Sequence, residues 1–161
     1  MEKSRVWKFG NNVDTDQILP SQYLLLSTIE EMKEYTFETL IPDFAKTAGM
    51  GDVIIAGENF GCGSSREQAP RVLKALGIKA VVAASFARIF FRNAINIGLP
   101  VIICKDAHKA VSPDDQVLLD LEKGLIRIKD LDLSCTRLPD YMQDILSAGG
   151  LLALLNKEVA N

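Results

Sequence analysis

Three short apolar runs separated by helical patterns constrain the fold of this chain more than any other feature. The runs occupy residues 51–56, 80–84 and 101–103 and are rich in valine, isoleucine and alanine. Continuous apolar runs of this length are typical of strands buried on both faces of a sheet. Residues 67–76 and 86–97 lie between them and carry apolar side chains at helical spacing. The alternation of strand and helix predicts a parallel α/β sheet.

Further elements are predicted on either side of this unit. They are a strand at 5–9, a helix at 29–40, a hairpin formed by 116–121 and 125–128, and helical turns at 141–146 and 151–156. No repeat, low-complexity tract or linker interrupts the chain, and 161 residues suit one domain. We therefore expect a single compact α/β domain over residues 1–161.

Composition excludes several classes of partner. The net charge of -3 and the pI near 5.2 argue against a surface for nucleic acid or anionic membrane. No apolar run reaches the roughly 18 residues of a membrane span. The first ten residues mix charged and aromatic side chains and lack the apolar core of a signal peptide. A cytoplasmic protein is expected.

The cysteines and the histidine do not indicate a metal centre. Cys62, Cys104 and Cys135 are far apart in sequence and form no C-x-x-C pair, so neither a disulfide framework nor a zinc site is suggested. The one histidine, His108, lies in a polar segment and is expected to be solvated. We predict no metal ligands on this chain.

A glycine-rich segment, GENFGCGSSREQAP at residues 57–70, follows the first buried strand. The carboxyl ends of parallel strands are where α/β sheets bind ligands. Ser64 and Glu67 fit a helix capping box, and free amides beside Arg66 would favour an anion. The third glycine of a dinucleotide fingerprint is replaced by Arg66, and no G-K-[ST] follows. Two interpretations remain: a capped turn whose arginine faces water, or a site for a small acid with hydroxyls available for proton transfer.

Four ordered segments carry a resemblance to a known family. They are NNVDTDQILP (11–20), GDVIIAGENFGCGSSREQAP (51–70), SFARIFFRNAINIGLP (85–100) and AGGL (148–151). Together they resemble the swivel domain of the aconitase superfamily, and within it the separate small subunits of 3-isopropylmalate dehydratases and their relatives. The resemblance implies a swivel-type β/β/α domain with a central parallel sheet flanked by helices and extra strands.

The resemblance also implies an activity and a partner. Members of the family are hydro-lyases that isomerise a 2-hydroxy acid by removing water and adding it back at the neighbouring carbon. A [4Fe-4S] cluster is carried by a large subunit and not by the small one, and the two form a heterodimer or heterotetramer. The isolated small subunit could itself form a homo-oligomer.

Family site residues are carried over position by position. Ser64 matches the catalytic serine, the base that removes a proton next to a carboxylate. Ser65 and Arg66 match positions that bind the substrate carboxylate. Asp16 matches an acid that supports active-site groups, and we expect it to do so through hydrogen bonds toward the partner subunit. The alternative is that Asp16 only stabilises a turn. Many relatives read S-R-E-H-A, with histidine where this chain has Gln68. We expect Gln68 to lie just past the first helical turn, where the difference does not affect function.

A second difference from the family pattern lies at residues 23–26, Tyr-Leu-Leu-Leu. By periodicity alone they predict a buried strand or a loop anchor. Homoaconitase-like small subunits read Y-L-R-T here, and the arginine meets the substrate's γ-carboxylate; this chain has Leu25 in its place. A carboxylate facing Leu25 and Leu26 would be desolvated without a partner, whereas an isopropyl group would gain about 0.8 kcal/mol per buried carbon.

This substitution favours interconversion of 2-isopropylmalate and 3-isopropylmalate in leucine biosynthesis. Related hydro-lyases acting on homoaconitase substrates, dimethylmalate or citramalate remain open as alternatives. A non-catalytic anion-binding module is the alternative from another functional class.

Overall fold

The computed structural model describes all 161 residues, and its strands form one curled seven-stranded sheet. In chain order the strands are β1 Ser4–Lys8, β2 Val53–Ala56, β3 Ala80–Ala83, β4 Val101–Ile103, β5 Gln116–Asp120, β6 Leu125–Ile128 and β7 Leu131–Ser134. Across the sheet their order is β4-β3-β2-β1-β5-β6-β7. The predicted mixed α/β class with extra strands is confirmed.

The first four strands pair in parallel, as the alternation of strand and helix predicts. Val6 of β1 is opposite Val53 of β2, and Val53 is opposite Ala80 of β3. The last three strands run antiparallel to their neighbours. The hairpin of β5 and β6 is confirmed, whereas β7 was not predicted from the sequence.

Helices and turns fill the connections. The α-helices are α1 Thr15–Ile18, α2 Ile29–Met32, α3 Phe44–Thr47, α4 Gln68–Ala75, α5 Arg88–Asn96, α6 Ala107–Ala110, α7 Asp140–Ala148 and α8 Leu151–Ala160, and 3₁₀ turns occupy Ser21–Leu25 and Lys33–Tyr35. None of the helices has the length and apolar character that crossing a membrane requires.

Both faces of the parallel strands are covered, which explains their continuous apolar sequence. Ile54 and Val81 face one buried cluster, which also contains Phe90 of α5. Their neighbours Val53 and Val82 face a second cluster. Since side chains alternate along a strand, each strand contributes to both clusters and must be apolar throughout.

Two predicted elements between β1 and β2 are wrong. The helix predicted at 29–40 ends after α2 and one 3₁₀ turn. Phe37 causes this end, because its φ of 56° leaves the helical region, its amide donates to the Ile18 carbonyl, and its ring is fully buried between Phe9 and Phe44. Of the two alternatives for residues 23–26, the buried strand is wrong, because the segment is a 3₁₀ turn in which Leu25 is 91% exposed. The other three side chains pack against the core, as the alternative of a loop anchor predicts.

Candidate active site

Two loops at the carboxyl ends of β1 and β2 run side by side. They are residues 10–15 and 57–62, and together they continue the parallel pairing of the two strands. The backbone hydrogen bonds that join them are Gly57 N–H to Gly10 O (3.1 Å), Asn12 N–H to Glu58 O (2.8 Å), Gly61 N–H to Val13 O (2.7 Å) and Thr15 N–H to Cys62 O (2.8 Å). The DTD motif, Asp14-Thr15-Asp16, and the glycine-rich segment therefore meet at one edge of the sheet.

The glycine-rich loop is also held against α5. Gly61 has a φ of 83°, and a Cβ built on it would lie 2.2 Å from the Cγ of Phe90. The Phe90 ring packs edge-on against Phe60 at 5.3 Å. Glycine is required at position 61 because both the backbone conformation and the close approach of the ring exclude a side chain.

The capping box predicted at Ser64 and Glu67 is wrong. Helix α4 begins at Gln68, and its N-cap Glu67 makes no side-chain capping bond. Gln68 is therefore the first helical residue and does not lie past the first turn. The local S-x-x-E pattern does not decide the start of the helix. The preceding loop is hydrogen-bonded alongside residues 10–15, and Gly63 turns the chain with a φ of 102°.

A capping box is present instead at the start of α1. The Asp14 carboxylate accepts from the amides of Asp16 (2.6 Å) and Gln17 (3.2 Å). The Gln17 side chain accepts in return from the Asp14 amide at 3.0 Å. This reciprocal pair fixes the DTD motif as the first turn of a helix.

Free backbone amides surround Ser64. The N–H groups of residues 63–67 donate no hydrogen bond within the chain, and Ser64 and Ser65 are exposed. Amides without an acceptor stabilise negative charge placed among them. The favourable environment for an anion that the sequence suggested comes from these loop amides and not from a capped helix start.

Thr15 contacts Ser64 and was not singled out from the sequence. Its Oγ1 donates to the Ser64 carbonyl at 3.2 Å and lies 3.3 Å from the Ser64 Oγ. Thr15 is 1% exposed, so its rotamer is fixed by packing. A buried hydroxyl thus positions the predicted base, and only the pairing of two loops distant in sequence reveals it.

Arg66 is anchored through one nitrogen. Its Nη1 donates to the Leu19 carbonyl at 2.8 Å and to the Asp16 Oδ1 at 3.2 Å. The Nε and Nη2 groups make no hydrogen bond within the chain, which leaves one edge of the guanidinium open. An open edge of this kind suits bidentate binding of a carboxylate.

The Asp16 carboxylate bonds within this chain. Besides Arg66, its Oδ1 accepts from the Ser21 amide at 3.0 Å, at the start of the 3₁₀ turn that carries Leu25. The support that Asp16 was expected to direct toward the partner subunit is directed here to Arg66 and to this turn. Through Asp16, the structure connects the Leu25 turn to the glycine-rich loop.

The Leu25 turn is fixed by aromatic packing. The Tyr23 ring stacks on Tyr35 at 3.8 Å, and its hydroxyl donates to the Glu38 carboxylate at 2.5 Å. The bond to Glu38 raises the pKa of Tyr23. Leu26 is half-buried against the core, so Leu25 alone extends into solvent.

His108 and Cys62, for which the sequence predicts no role in the site, both lie at the two paired loops. His108 is half-buried and lines a polar cavity of about 580 Å³ with Ser85, Lys105 and Lys109. Cys62 lies in the glycine-rich loop, where burial, and then the Asp14 carboxylate, raise the pKa of its thiol. No group of three or more His, Cys, Asp or Glu side chains is arranged to hold a metal ion.

Comparisons with known proteins identify the family of the chain. The family described as Aconitase C-terminal domain matches residues 8–106. The chain is 51% identical to the isopropylmalate/citramalate isomerase small subunit of Methanocaldococcus jannaschii, covering 98% of this chain and 95% of that protein. It is 49% identical to the 3-isopropylmalate dehydratase small subunit of Aquifex aeolicus, covering 99% and 96%.

A solved structure extends the likeness to the fold. The crystal structure of 3-isopropylmalate dehydratase from Methanocaldococcus jannaschii superposes with a TM-score of 0.93 at 46% identity, covering 98% of this chain and 95% of that one. Relatives of this similarity over almost their full length share both fold and family. The chain therefore belongs to the aconitase C-terminal domain family, among the small subunits of 3-isopropylmalate dehydratases.

Proposed function

We propose that this chain is the small subunit of a hydro-lyase that interconverts 2-isopropylmalate and 3-isopropylmalate in cytoplasmic leucine biosynthesis. The observation that carries the proposal is the exposed Leu25 on a turn that Asp16 ties to Arg66. This arrangement offers an apolar contact beside a carboxylate-binding group. The substrate has the matching pair of features, an isopropyl group and carboxylates.

Ser64 is the proposed base. To remove a proton from the carbon next to a carboxylate, the serine must first be an alkoxide, which is a demanding species in water. The free amides of residues 63–67 and the guanidinium of Arg66 supply positive potential near it. Thr15, 3.3 Å from the Ser64 Oγ, can turn its one hydroxyl proton from the Ser64 carbonyl toward the alkoxide.

Arg66 and Ser65 are the proposed ligands of a substrate carboxylate. The open Nε–Nη2 edge of Arg66 forms a two-point contact, and the exposed Ser65 hydroxyl lies next to it in the chain. Because Nη1 is already bound to Leu19 and Asp16, the guanidinium is oriented before substrate arrives. Such pre-organisation lowers the entropic cost of binding.

The cluster and the closed site are proposed to come from a large subunit. The three cysteines of this chain do not form a cluster site, and the steps assigned to the chain involve its own side chains alone. When bound on the partner, a [4Fe-4S] cluster would polarise the substrate hydroxyl that leaves. Ser64 and Ser65 are exposed in the isolated chain, and a partner that covers them would exclude water from the base. We expect a heterodimer or heterotetramer.

Citramalate is a second candidate substrate for the same site. The relative from Methanocaldococcus jannaschii is named for both isopropylmalate and citramalate. Leu25 offers apolar surface to a methyl group as well as to an isopropyl group, with less area buried by the smaller substituent. We therefore expect isopropylmalate to be preferred, by about 0.8 kcal/mol for each additional buried carbon.

The test is reconstitution with a cluster-bearing large subunit. Formation of the unsaturated intermediate is followed by its absorbance, with 3-isopropylmalate, citramalate and a carboxymethyl analogue compared by kcat/KM. Turnover is expected with both chains present and with isopropylmalate favoured. Turnover by this chain alone in iron-free buffer would contradict the subunit proposal.

Ser64→Ala separates catalysis from anion binding alone. We expect kcat to fall by roughly a hundredfold to ten-thousandfold, as removal of a general base does, while size-exclusion chromatography shows the same complex with the large subunit. Ser65→Ala is the matched control, since it removes the neighbouring exposed hydroxyl and should raise KM more than it lowers kcat. Near-normal kcat in Ser64→Ala would favour a non-catalytic module.

A further inference from the structure

Cys104 and Cys135 are distant in sequence but adjacent in the fold. Cys104 follows β4 at one edge of the sheet, and Cys135 follows β7 at the other edge. The sheet curls until these edges meet: Thr136 N–H donates to the Ile103 carbonyl at 2.8 Å. The Cys104 Sγ lies 3.8 Å from the Ser134 carbonyl oxygen. One backbone hydrogen bond and one sulfur–carbonyl contact thus join the chain segments that carry the two cysteines.

The two thiols influence each other's acidity. The neighbouring Cys135 lowers the pKa of Cys104 to about 7, and the neighbouring Cys104, together with burial, raises the pKa of Cys135. Cys104 is 3% exposed within the core cluster between the curled strands, and Cys135 packs half-buried against that cluster. A thiolate beside a second thiol is the arrangement from which disulfides form.

We propose that Cys104 and Cys135 are a site of reversible disulfide formation that joins the two edges of the curled sheet, with hydrogen peroxide as the oxidant. Neither cysteine belongs to the proposed active site, so the disulfide can form whether or not the proposed function holds. The disulfide would close a covalent loop over β5, β6 and β7 and restrict the unfolded chain.

The reaction proceeds in two balanced steps. The Cys104 thiolate attacks one oxygen of peroxide, the O–O bond breaks, and hydroxide leaves and takes up a proton, giving a sulfenic acid and water. Cys135 then loses its proton and attacks the Cys104 sulfur. The S–O bond breaks as the S–S bond forms, and the departing hydroxide leaves with that proton as a second water. Two thiols thereby give two electrons to one peroxide.

Peptide mapping of the full-length chain tests the proposal. The reduced chain is treated with hydrogen peroxide, remaining thiols are alkylated, and trypsin then places the three cysteines in separate peptides, residues 47–66, 93–105 and 130–137. We expect peptides 93–105 and 130–137 to be linked, with the link lost on dithiothreitol treatment, while Cys62 is alkylated. Alkylation of both Cys104 and Cys135, or a link through Cys62, would overturn the proposal.

Thermal unfolding supplies a second readout. Oxidation should raise the Tm of the wild-type chain and of Cys62→Ser by several degrees, because the linked edges restrict the unfolded state. Cys135→Ser, at a half-buried position that tolerates a hydroxyl, should show no such rise. An equal rise in Cys135→Ser, or a linked chain with unchanged Tm, would show that the disulfide does not fasten the sheet.

Discussion

Asp16 of α1 and Arg66, in the segment before α4, form an ion pair at 3.2 Å. The same carboxylate oxygen accepts from the Ser21 amide at 3.0 Å. The Asp16 side chain therefore positions two parts of the proposed site. One is the guanidinium proposed to hold the substrate carboxylate, and the other is the turn proposed to contact the substrate's alkyl substituent.

Asp16→Ala should raise KM for isopropylmalate roughly tenfold, which corresponds to about 1.4 kcal/mol of binding, with a smaller effect on kcat. The reason is the loss of orientation at Arg66 and at the Leu25 turn. Asp16→Asn keeps an oxygen that can accept both bonds and should recover much of the loss. Because the Asp16 side chain is 59% exposed, the free energy of unfolding should change by less than about 1 kcal/mol. Unchanged KM in Asp16→Ala would remove Asp16 from the site.

Leu25→Arg should shift substrate preference toward analogues that carry a carboxylate in place of the isopropyl group. The arginine supplies the charge that such a group needs, and it removes apolar contact from the isopropyl group. We expect the ratio of kcat/KM values to change by at least about tenfold, or 1.4 kcal/mol. Leu152→Arg changes another exposed leucine, on α8, and should leave the ratio unaltered. Equal ratios in the two variants would mean that Leu25 does not touch the substituent.

Thr15→Val should lower kcat by roughly tenfold or more with little change in KM. The substitution preserves shape but removes the hydroxyl that contacts both Ser64 oxygens, at about 1 kcal/mol of stability. Thr15→Ser should restore most of the rate. Thr36→Val is the matched control, since Thr36 is equally buried and donates to the Lys33 carbonyl. A loss of kcat in Thr36→Val equal to that in Thr15→Val would assign the effect to general destabilisation.

Gly61→Ala should destabilise the chain by about 2–4 kcal/mol, because a methyl group would overlap the Phe90 ring and the backbone would be strained. For a domain of this size that loss lowers the Tm by roughly 5–15 °C. Gly10→Ala has no atom within 4 Å of the added Cβ and should be nearly neutral. Calorimetry of both variants decides the point; a neutral Gly61→Ala would mean that the loop can move away from α5.

The parallel half of the sheet could be predicted from sequence because each strand is buried on both faces and is therefore apolar throughout. The helix predicted at 29–40 failed because Phe37, buried between Phe9 and Phe44, leaves helical geometry to reach the core. The cap predicted at Ser64 failed for a related reason. Local pattern indicated a helix start, but hydrogen bonds to residues nearly fifty positions earlier decide the path of that loop.

Some residues of the proposed site could also be predicted from the sequence, and others depend on contacts between distant segments. The family resemblance placed Ser64, Ser65, Arg66, Asp16, Leu25 and Leu26 in one prediction. Of these, the structure joins Asp16 and Arg66 directly, whereas Ser64 contacts Thr15. Free amides beside Arg66 were predicted, but at a capped helix start and not in the loop of residues 63–67. The role of Thr15 was not predicted, since it depends on how the two loops pair. The same holds for Cys104 and Cys135, which only the curl of the sheet brings together.

Residues 57–62, which lead to Ser64, are fixed by backbone hydrogen bonds, whereas the turn that carries Leu25 is fixed by the side chains of Tyr23, Tyr35 and Asp16. Mutation can therefore remodel the turn without disturbing the course of the loop. A scaffold built in this way can acquire a new substrate while it keeps an old reaction, and substitutions at 23–26 are the most direct route to enzymes of altered selectivity.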